Sequence, residues 1–528
     1  MKGEPDFLQN LQDELSDARG WLDRSVVLTY AVAAGLCVVV FTVMTETAFG
    51  WFEALYEWWP WAVLLWTPAL TAFIVWATRR FAPGAAGSGI PQVMTALDPH
   101  LPRDMRHRFV SLRLTLAKMF LGACSLLAGL SAGREGPSVQ VAAGVMHHAR
   151  RWLRPGSAMN DHALLVAGGA AGIAAAFNAP LAGVVFAIEE LSSKLESRNN
   201  GLIIAGIVLA GLVSISVFGN LTYFGSVRVP HLGWGALLPG VLVSITCGVL
   251  GGLFARLLAA SAAGMPDRFS ALRKRYPVRF AAMCGLAVGV IGLASNGATF
   301  GAGAPEVRHM LAGEGDASRL YVLLKFMATW LTTWSGVPGG IFAPSLSIGA
   351  GVGHDVAQLV TGSQFQTLAP GLIALGMAGF LAAATQAPLT SFIIVMEMID
   401  GRSMVLSLMA SAMLASLIAR LISRPLYSSL SNLMMRPLRE ARARAAASRR
   451  SQPVDDDSLQ PTDPSVPADA PDSIGEEVSE AVSEPAVEPE APPVNRQQQD
   501  LFDEAKPEAP DSDPGESDDR DRSAPRDQ

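Results

Sequence analysis

The segment GREGPSVQVAAGV at 133–145 returns in altered form as GIFAPSLSIGAGV at 340–352, 207 positions later. Three further matches keep the same order. GSGIPQV at 87–93 returns as GAGAPEV at 301–307, Lys118 as Lys325, and APLAGVVFAIEEL at 179–191 as APLTSFIIVMEMI at 387–399, with offsets of 214, 207 and 208. One such match arises by chance; several in register mean that a unit of about 200 residues is present twice. In both copies the matched stretches interrupt apolar sequence with Gly and Pro, so the chain breaks at equivalent places in the two units.

Those breaks are constrained by the solvent around them. Half of the residues are hydrophobic and only 16% are charged; a mean hydropathy of +0.31 is too apolar for a soluble chain of this length. The runs Ser25 to Phe49, Trp58 to Thr78, Leu202 to Phe218, Leu237 to Ala259 and Val405 to Ile422 reach or approach the roughly 20 residues that cross a bilayer as a helix. Pieces such as Ser138 to Met146 and Ser345 to Val352 are too short to cross. A break facing lipid leaves backbone groups unsatisfied, so it persists only where protein buries it or a ligand or water occupies it. A duplicated membrane unit with helices broken at matching positions is the pattern of a transporter whose site lies between the repeats. The expected fold is an all-α integral membrane protein of two repeats with broken and re-entrant helices. The repeats have inverted topology if each crosses the membrane an odd number of times.

Charge assigns the sides. Arginines cluster at 79–108, 150–154, 268–279 and 436–450, and the positive-inside rule puts these regions and the C-terminus on the cytoplasmic side; the N-terminus is expected there too. Glu135 lies 27 residues from the first cluster and 13 from the end of the apolar run 109–148. That run therefore reads as one full helix out and one half-length helix back, with Glu135 at the start of the return. The run from Ser25 follows the mixed charges of Asp13, Glu14, Arg19 and Asp23 and has no small-residue cleavage site, so it reads as a retained helix, not a signal peptide. Cys37, Cys124, Cys247 and Cys284 lie far apart in apolar stretches, which is neither disulfide nor metal spacing. From Ser451 on, 23 Asp or Glu stand against 5 Lys or Arg among many prolines, the composition of a disordered, solvated tail. Without it the body holds 35 basic and 24 acidic residues, although the whole chain has a formal charge of −7. The chain divides into an N-terminal cytoplasmic segment 1–24, a transmembrane domain 25–435 with repeats near 60–220 and 232–423, a basic juxtamembrane segment 436–450 and the acidic Pro-rich tail 451–528.

A glycine-rich break followed by a helix leaves free N–H groups and partial positive charge at the helix start. Ser88 adds a hydroxyl between Gly87 and Gly89, ahead of Pro91. Gly339, Gly340, Ile341 and Phe342 offer bare amides before Pro344, and Gly133, Arg134, Gly136 and Pro137 frame Glu135. Donors without full charge suit a monovalent anion that binds and then leaves. A phosphate or carboxylate carrier would show an arginine clamp, and a cation site would need carbonyls and carboxylates. Close helix packing alone is the other reading of these glycines; it suits one motif better than the set. Glu135 is a negative side chain at an anion-accepting helix start, placed to occupy the anion's position when ionised and to leave it when protonated. The competing reading pairs it with Arg134.

The duplication sorts the other charged groups. Glu189 matches Glu397, which points to a shared pairing or capping role, whereas Glu190 stands against Met398, Ser88 against Ala302 and Glu135 against Phe342. Glu190 is either a second proton stop or a solvated helix-end glutamate. Lys118 and Lys325, present in both units, are structural or lend the pore positive potential. Tyr427, in RPLYSSL, reads from its position as an interfacial belt tyrosine.

GSGIP at 87–91, GREGP at 133–137, GGIFAP at 339–344 and PLY at 425–427, in this order, resemble the CLC family of chloride channels and chloride/proton antiporters over residues 25–435. The resemblance implies a homodimer with one pore per subunit, inverted repeats, and an anion held where several helix starts meet. Carried over by motif, the central anion ligands are Ser88, the Tyr427 hydroxyl and the backbone amides of Ile341 and Phe342. Glu135 is similar to the external gating glutamate. Glu190, second of the IEE pair, is similar to the internal proton-transfer glutamate of the antiporters, where channel members usually have an apolar residue. Gly87, Gly89, Pro91, Lys118, Gly133, Arg134, Gly136, Pro137 and Gly340 are expected to support the pore. Plant nitrate-selective members tend to have Pro at the Ser88 position and fluoride exporters depart from the serine pattern, so Ser88 favours chloride with some tolerance of other halides and nitrate. Gln92 departs from the Glu of many relatives, and the tail lacks the paired cystathionine-synthase-type domains of many eukaryotic members.

The function expected is chloride transport across a bacterial inner membrane in exchange for protons. Chloride, protons and the bilayer are its partners, with no nucleic acid, cofactor or metal. A passive chloride channel that keeps Glu135 only as a gate is the alternative, and a non-transporting membrane scaffold acting through the acidic tail is a remote one. No enzyme is expected: the eight histidines are scattered, with no metal cluster, phosphate loop or nucleophile–base pattern.

Overall fold

A computed structural model describes residues 18–155, 157, 159–191, 200–219, 224, 234–313, 318–360 and 365–450; the acidic tail lies outside the described residues. Helices follow from the apolar composition, since a membrane-embedded backbone must satisfy its own hydrogen bonds. α1 (Ala18–Trp58) is a single helix of 41 residues. The first unit continues with α2 (Val63–Phe81), α3 (Ile90–Leu97), α4 (Leu112–Leu127), α5 (Glu135–His148), α6 (Asp161–Ala176), α7 (Pro180–Phe186) and α8 (Asn200–Phe218). After α9 (Leu237–Ala263) and the short basic α10 (Arg268–Arg275), the pattern is repeated. Its members are α11 (Pro277–Ala294), α12 (Ala304–Ala312), α13 (Tyr321–Ser335), α14 (Phe342–Val360), α15 (Phe365–Thr385), α16 (Pro388–Met398) and α17 (Val405–Ile422), and α18 (Leu426–Arg450) closes the sequence of helices.

Seven helices among the described residues are long and apolar enough to cross a membrane. Two of them, Pro277–Ala294 and Thr367–Thr385, were not singled out by the sequence; the second is mostly buried, a core helix rich in Ala and Gly. Exposed Trp58, Trp59 and Trp61 crowd the corner between α1 and α2, where amphipathic rings suit a membrane–water boundary. The apolar run 109–148 divides into two helices, and the return piece is the expected short one: the 14-residue α5 is about 21 Å long at 1.5 Å per residue, too short to span. The outgoing helix α4, expected to be full length, has only 16 residues and is not among the seven long enough to cross. Ser345 to Val352, in contrast, is no short piece: α14 runs through it for 19 residues. Its glycines serve packing, because a β-carbon on Gly349 would strike the backbone of Gly376 and one on Gly353 would strike Leu372.

The breaks share a construction. α3 begins after Gly89 at φ 111° and α12 after Gly303 at φ 84°, conformations that favour glycine. α7 and α16 each begin with a proline, preceded two residues earlier by a left-handed Asn178 (φ 57°) and Gln386 (φ 64°). Proline at the first helical position forfeits only an N–H that has no helical partner.

Two sets of contacts establish that the units are inverted. Gly133 and its counterpart Gly340 exchange both backbone hydrogen bonds, at 2.8 and 2.7 Å, as an antiparallel pair. Equivalent residues that pair antiparallel with each other sit on a local two-fold axis, so the helices that follow them leave in opposite directions. The second set is reciprocal. Glu189 accepts from the amides of Leu389 (3.0 Å) and Thr390 (2.7 Å) at the start of α16, while Glu397 accepts from Leu181 (3.3 Å) and Ala182 (2.8 Å) at the start of α7. The end of each helix meets the start of the other, so α7 and α16 run antiparallel, and the matched glutamates are helix caps as their duplication suggested. Each carboxylate satisfies two orphan N–H groups and complements the helix dipole. Glu397→Ala is expected to cost about 1–2 kcal/mol, and Glu397→Gln less, measured by thermal unfolding in detergent; an unchanged melting temperature in the alanine variant would show the cap to be dispensable.

Candidate functional site

The site is assembled where the two glycine-rich breaks of the first unit meet that of the second. Gly87 donates to Val337 O (3.1 Å) and its carbonyl accepts from Gly339 N (3.2 Å), so the GSG turn lies alongside the VPGG segment; one step further, Gly133 pairs with Gly340. Only glycine fits this knot. A β-carbon on Gly340 would stand 2.9 Å from Gly136 N and 3.2 Å from Gly133 O, one on Gly89 would stand 2.7 Å from Gly136 O, and one on Gly136 would strike the Ser88 hydroxyl. Pro91 and Pro137 are buried in the first turns of α3 and α5.

Lys118 holds this turn from behind. Its side chain is fully buried, and Nζ donates to Ala85 O (2.8 Å) and Gly87 O (2.6 Å). Lys325 does the same in the second unit, donating to Thr299 O (3.0 Å), Phe300 O (3.3 Å) and Gly301 O (2.9 Å). Of the two readings open from the sequence, the contacts favour the structural one: each lysine gathers the carbonyls of the turn that precedes α3 or α12. Gln140 adds a second brace, its amide nitrogen donating to Gly84 O (2.9 Å) and Phe109 O (2.7 Å). Gln92, the departure from the family pattern, donates to Ala86 O at 2.5 Å and so belongs to the same scaffold.

In front of the turn lie groups with nothing to bind. The Ser88 and Tyr427 hydroxyls approach one another, yet both are buried oxygens without a hydrogen-bond partner. Tyr427 is brought there by α18, which packs on α3, with Thr95 Oγ1 2.9 Å from Ser431 Oγ. Buried and facing Ser88, it is not at an exposed boundary as an aromatic-belt residue would be. Ile341 and Phe342 are buried at the start of α14, where first-turn amides have no intrahelical acceptor. Phe342 is packed by Phe177 (stacked, 6.1 Å), Phe186 (edge-on, 6.4 Å) and Tyr427 (tilted, 5.9 Å). Phe177 and Phe186 were missed by the sequence reading; Phe177 stands against Thr385 in the duplication, which is the one signal that set it apart.

Glu135 occupies the first position of α5 and is fully buried. Its carboxylate leans toward the Ala343 amide in the first turn of α14, but neither oxygen reaches hydrogen-bond geometry. Arg134 is not its salt-bridge partner: that guanidinium stands 2.8 Å from Glu46 Oε1. Glu135 and Arg134 line a cavity of about 250 Å³ together with Glu46 and the start of α12. Glu190 sits in a π-helical turn, Ala187–Leu191, that ends α7, the kind of widened turn that gathers at functional positions. Half-buried, it lies beside the capping Glu189. Tyr427 is within electrostatic reach of both Glu190 and Glu135.

The arrangement brings the Ser88 and Tyr427 hydroxyls near the start of α14, with Glu135 beside the same helix start. Buried polar groups are normally hydrogen-bonded, and helix-start amides are the groups that receive anions in proteins. Among the described residues no cluster could hold a metal ion.

The family profile described as Voltage gated chloride channel matches residues 69–420. The H(+)/Cl(−) exchange transporter ClcA of Cronobacter sakazakii is 33% identical to the chain, over 76% of this chain and 87% of that protein. ClcA of Citrobacter koseri is 31% identical over 77% and 88%. Among solved structures, a slow cyanobacterial Cl−/H+ antiporter superposes with a TM-score of 0.68 at 25% identity, covering 78% of this chain and 98% of that one. A CLC-type fluoride/proton antiporter shares the fold, with a TM-score of 0.63 at 21% identity over 81% and 99%.

Lys118→Met is expected to leave two buried carbonyls without their donor, at about 1–3 kcal/mol each, and to lower the melting temperature in detergent; Lys325→Met should do likewise. A lysine that only lent positive potential would lower anion binding without this loss of stability.

Proposed function

Because the chain belongs to the voltage gated chloride channel family, we propose that it exchanges chloride for protons across the membrane, with Glu135 as outer gate and Glu190 as inner proton-transfer group. The observation that carries this reading is the buried carboxylate of Glu135, unpartnered and leaning on the start of α14. The names of the similar transporters support the same chemistry.

In this mechanism chloride is held by the hydroxyls of Ser88 and Tyr427 and by the amides of Ile341 and Phe342. Gly87, Gly89, Gly133, Gly136 and Gly340 let these donors converge, and Pro91, Pro137 and Lys118 fix the turns. A helix start offers about half a positive charge. An ionised Glu135 and a chloride ion compete for it, because two negative charges close together in a low-dielectric interior repel strongly. A proton taken up by Glu135 removes its claim on the site, and chloride takes its place. Returning chloride traffic and deprotonation are thereby tied together. Glu190, within electrostatic reach of Tyr427, receives or delivers the proton there; Glu189 cannot share that task while it caps α16.

The arginine clusters support an orientation with the ends of α2 and α5 toward the cytoplasm, so the cavity beside Glu135 opens outward. The motif resemblance supports a homodimer with one pore per subunit in a bacterial inner membrane. Chloride is the favoured anion because Ser88 is present; other halides and nitrate follow more weakly. The domain division read from the sequence stands as part of the same proposal.

Purified protein in liposomes should move protons uphill when given a chloride gradient, read as a reversal potential under crossed chloride and pH gradients. Glu135→Ala should pass chloride without proton coupling. Glu190→Gln should keep chloride flux while proton flux falls by about two orders of magnitude. A wild type whose reversal potential follows chloride alone would instead be a passive channel.

A further inference from the structure

The two buried lysines differ in what balances them. Gln92 is the third residue of α3 and Glu306 the third of α12, so the duplication places them at equivalent positions. In the second unit Glu306 acts electrostatically on Lys325, whose Nζ also donates to the carbonyls of Thr299, Phe300 and Gly301. That ammonium has a carboxylate of its own. In the first unit Lys118 is fully buried and donates to the carbonyls of Ala85 and Gly87; among the described residues no carboxylate acts on it. The equivalent side chain, Gln92, is neutral. It too is buried, with Nε2 donating to the carbonyl between those two, Ala86 O, and Oε1 without a hydrogen-bond partner.

We infer that Gln92 is a positioning residue for the anion: neutral where the second unit carries a carboxylate, it leaves the charge of Lys118 unbalanced, so that this charge attracts chloride to Ser88. This role rests on the reading of Ser88 as an anion ligand. Reach follows from covalent geometry. Lys118 Nζ stands 2.6 Å from Gly87 O, the carbonyl of the peptide unit that leads into Ser88. Standard bond lengths then put the ammonium within about 10 Å of the Ser88 hydroxyl. Ala85, Ala86 and Gly87 are consecutive, so Gln92 and Lys118 grip neighbouring carbonyls, and their polar ends also lie within about 10 Å of each other. At such a range one elementary charge, in an effective dielectric of about 20, alters an ion's affinity by roughly tenfold. Helix-start amides offer only partial charge. Lys118 adds a whole one from behind the turn, at a distance where it attracts an anion without binding it.

The test measures chloride binding to the full chain in detergent by isothermal titration calorimetry at one fixed pH. Gln92→Glu gives the first unit the carboxylate of the second and is expected to raise the chloride dissociation constant about tenfold. Gln92→Met loses the same bond to Ala86 O without adding charge. It should lower the melting temperature yet leave the dissociation constant within about twofold of wild type. Lys118→Met removes the charge by the opposite route and should match Gln92→Glu in affinity, which decides the matter if Gln92→Glu does not fold. An unchanged constant in Gln92→Glu overturns the inference; that result follows if Lys118 is an uncharged amine that takes up a proton on meeting the new carboxylate. An unchanged constant in Lys118→Met, or a loss in Gln92→Met equal to that in Gln92→Glu, overturns it too. If Ser88→Ala binds chloride as well as the wild type does, the anion lies elsewhere and the reading of the site falls as well. If Ser88→Ala weakens binding while Gln92→Glu does not, the site stands and only the role of Gln92 fails.

Discussion

Everything in the centre of this protein depends on two backbone hydrogen bonds, exchanged between Gly133 and Gly340 at 2.8 and 2.7 Å. They join equivalent positions of the duplicated unit and fix the local two-fold axis. Because α5 and α14 begin within two residues of that pair, their starts are held head to head across a few ångström. Gly340 has no room for a side chain, since a β-carbon there would stand 2.9 Å from Gly136 N and 3.2 Å from Gly133 O, and one on Gly133 would displace the Glu135 carboxylate. Apposing two helix starts concentrates partial positive charge from both dipoles at one place, which would be unfavourable without something negative between them. A carboxylate, Glu135, is what the first unit supplies.

The frame and the chemistry are divided between what the units share and what they do not. Shared residues are structural: Lys118 and Lys325 gather the carbonyls of equivalent turns, and Glu189 and Glu397 cap each other's helices. Burying a lysine costs several kcal/mol in desolvation, and that cost is offset only by close carbonyl contacts such as these. Three residues without a like counterpart, Ser88, Glu135 and Tyr427, carry buried oxygens that have no hydrogen-bond partner. A symmetric scaffold with asymmetric side chains gives a pathway that differs on its two sides, as coupling one ion to another requires.

Much of this was legible beforehand because it is written in local pattern. Glycine and proline at matched offsets marked the breaks, and the difference between Glu190 and Met398, or Glu135 and Phe342, marked the polar specialisations without any structure. The half-length α5 followed from counting residues between charged flanks. What was not legible depends on which surfaces meet. The glycines of α14 looked like breaks and are packing sites against α15, because glycine permits close approach as well as bending. Phe177 and Phe186 are ordinary apolar residues until the fold packs them on Phe342. Tyr427 gave no hint by position that its hydroxyl would arrive next to Ser88, 339 residues away in sequence.

The sequence by itself determined that the chain is a membrane protein of two related units, where helices start after the matched glycine and proline motifs, and which charged residues belong to one unit only. These are properties of hydropathy, chain conformation and repetition, and each is carried by residues near one another in the chain. Only the tertiary structure decided that Arg134 answers to Glu46 and leaves Glu135 without a salt bridge, that the buried lysines are braces, and that two glutamates tie α7 and α16 together end to end. Those outcomes turn on distances between residues from different helices. A sequence specifies such distances through the packing of the whole chain, and no short stretch of it contains them.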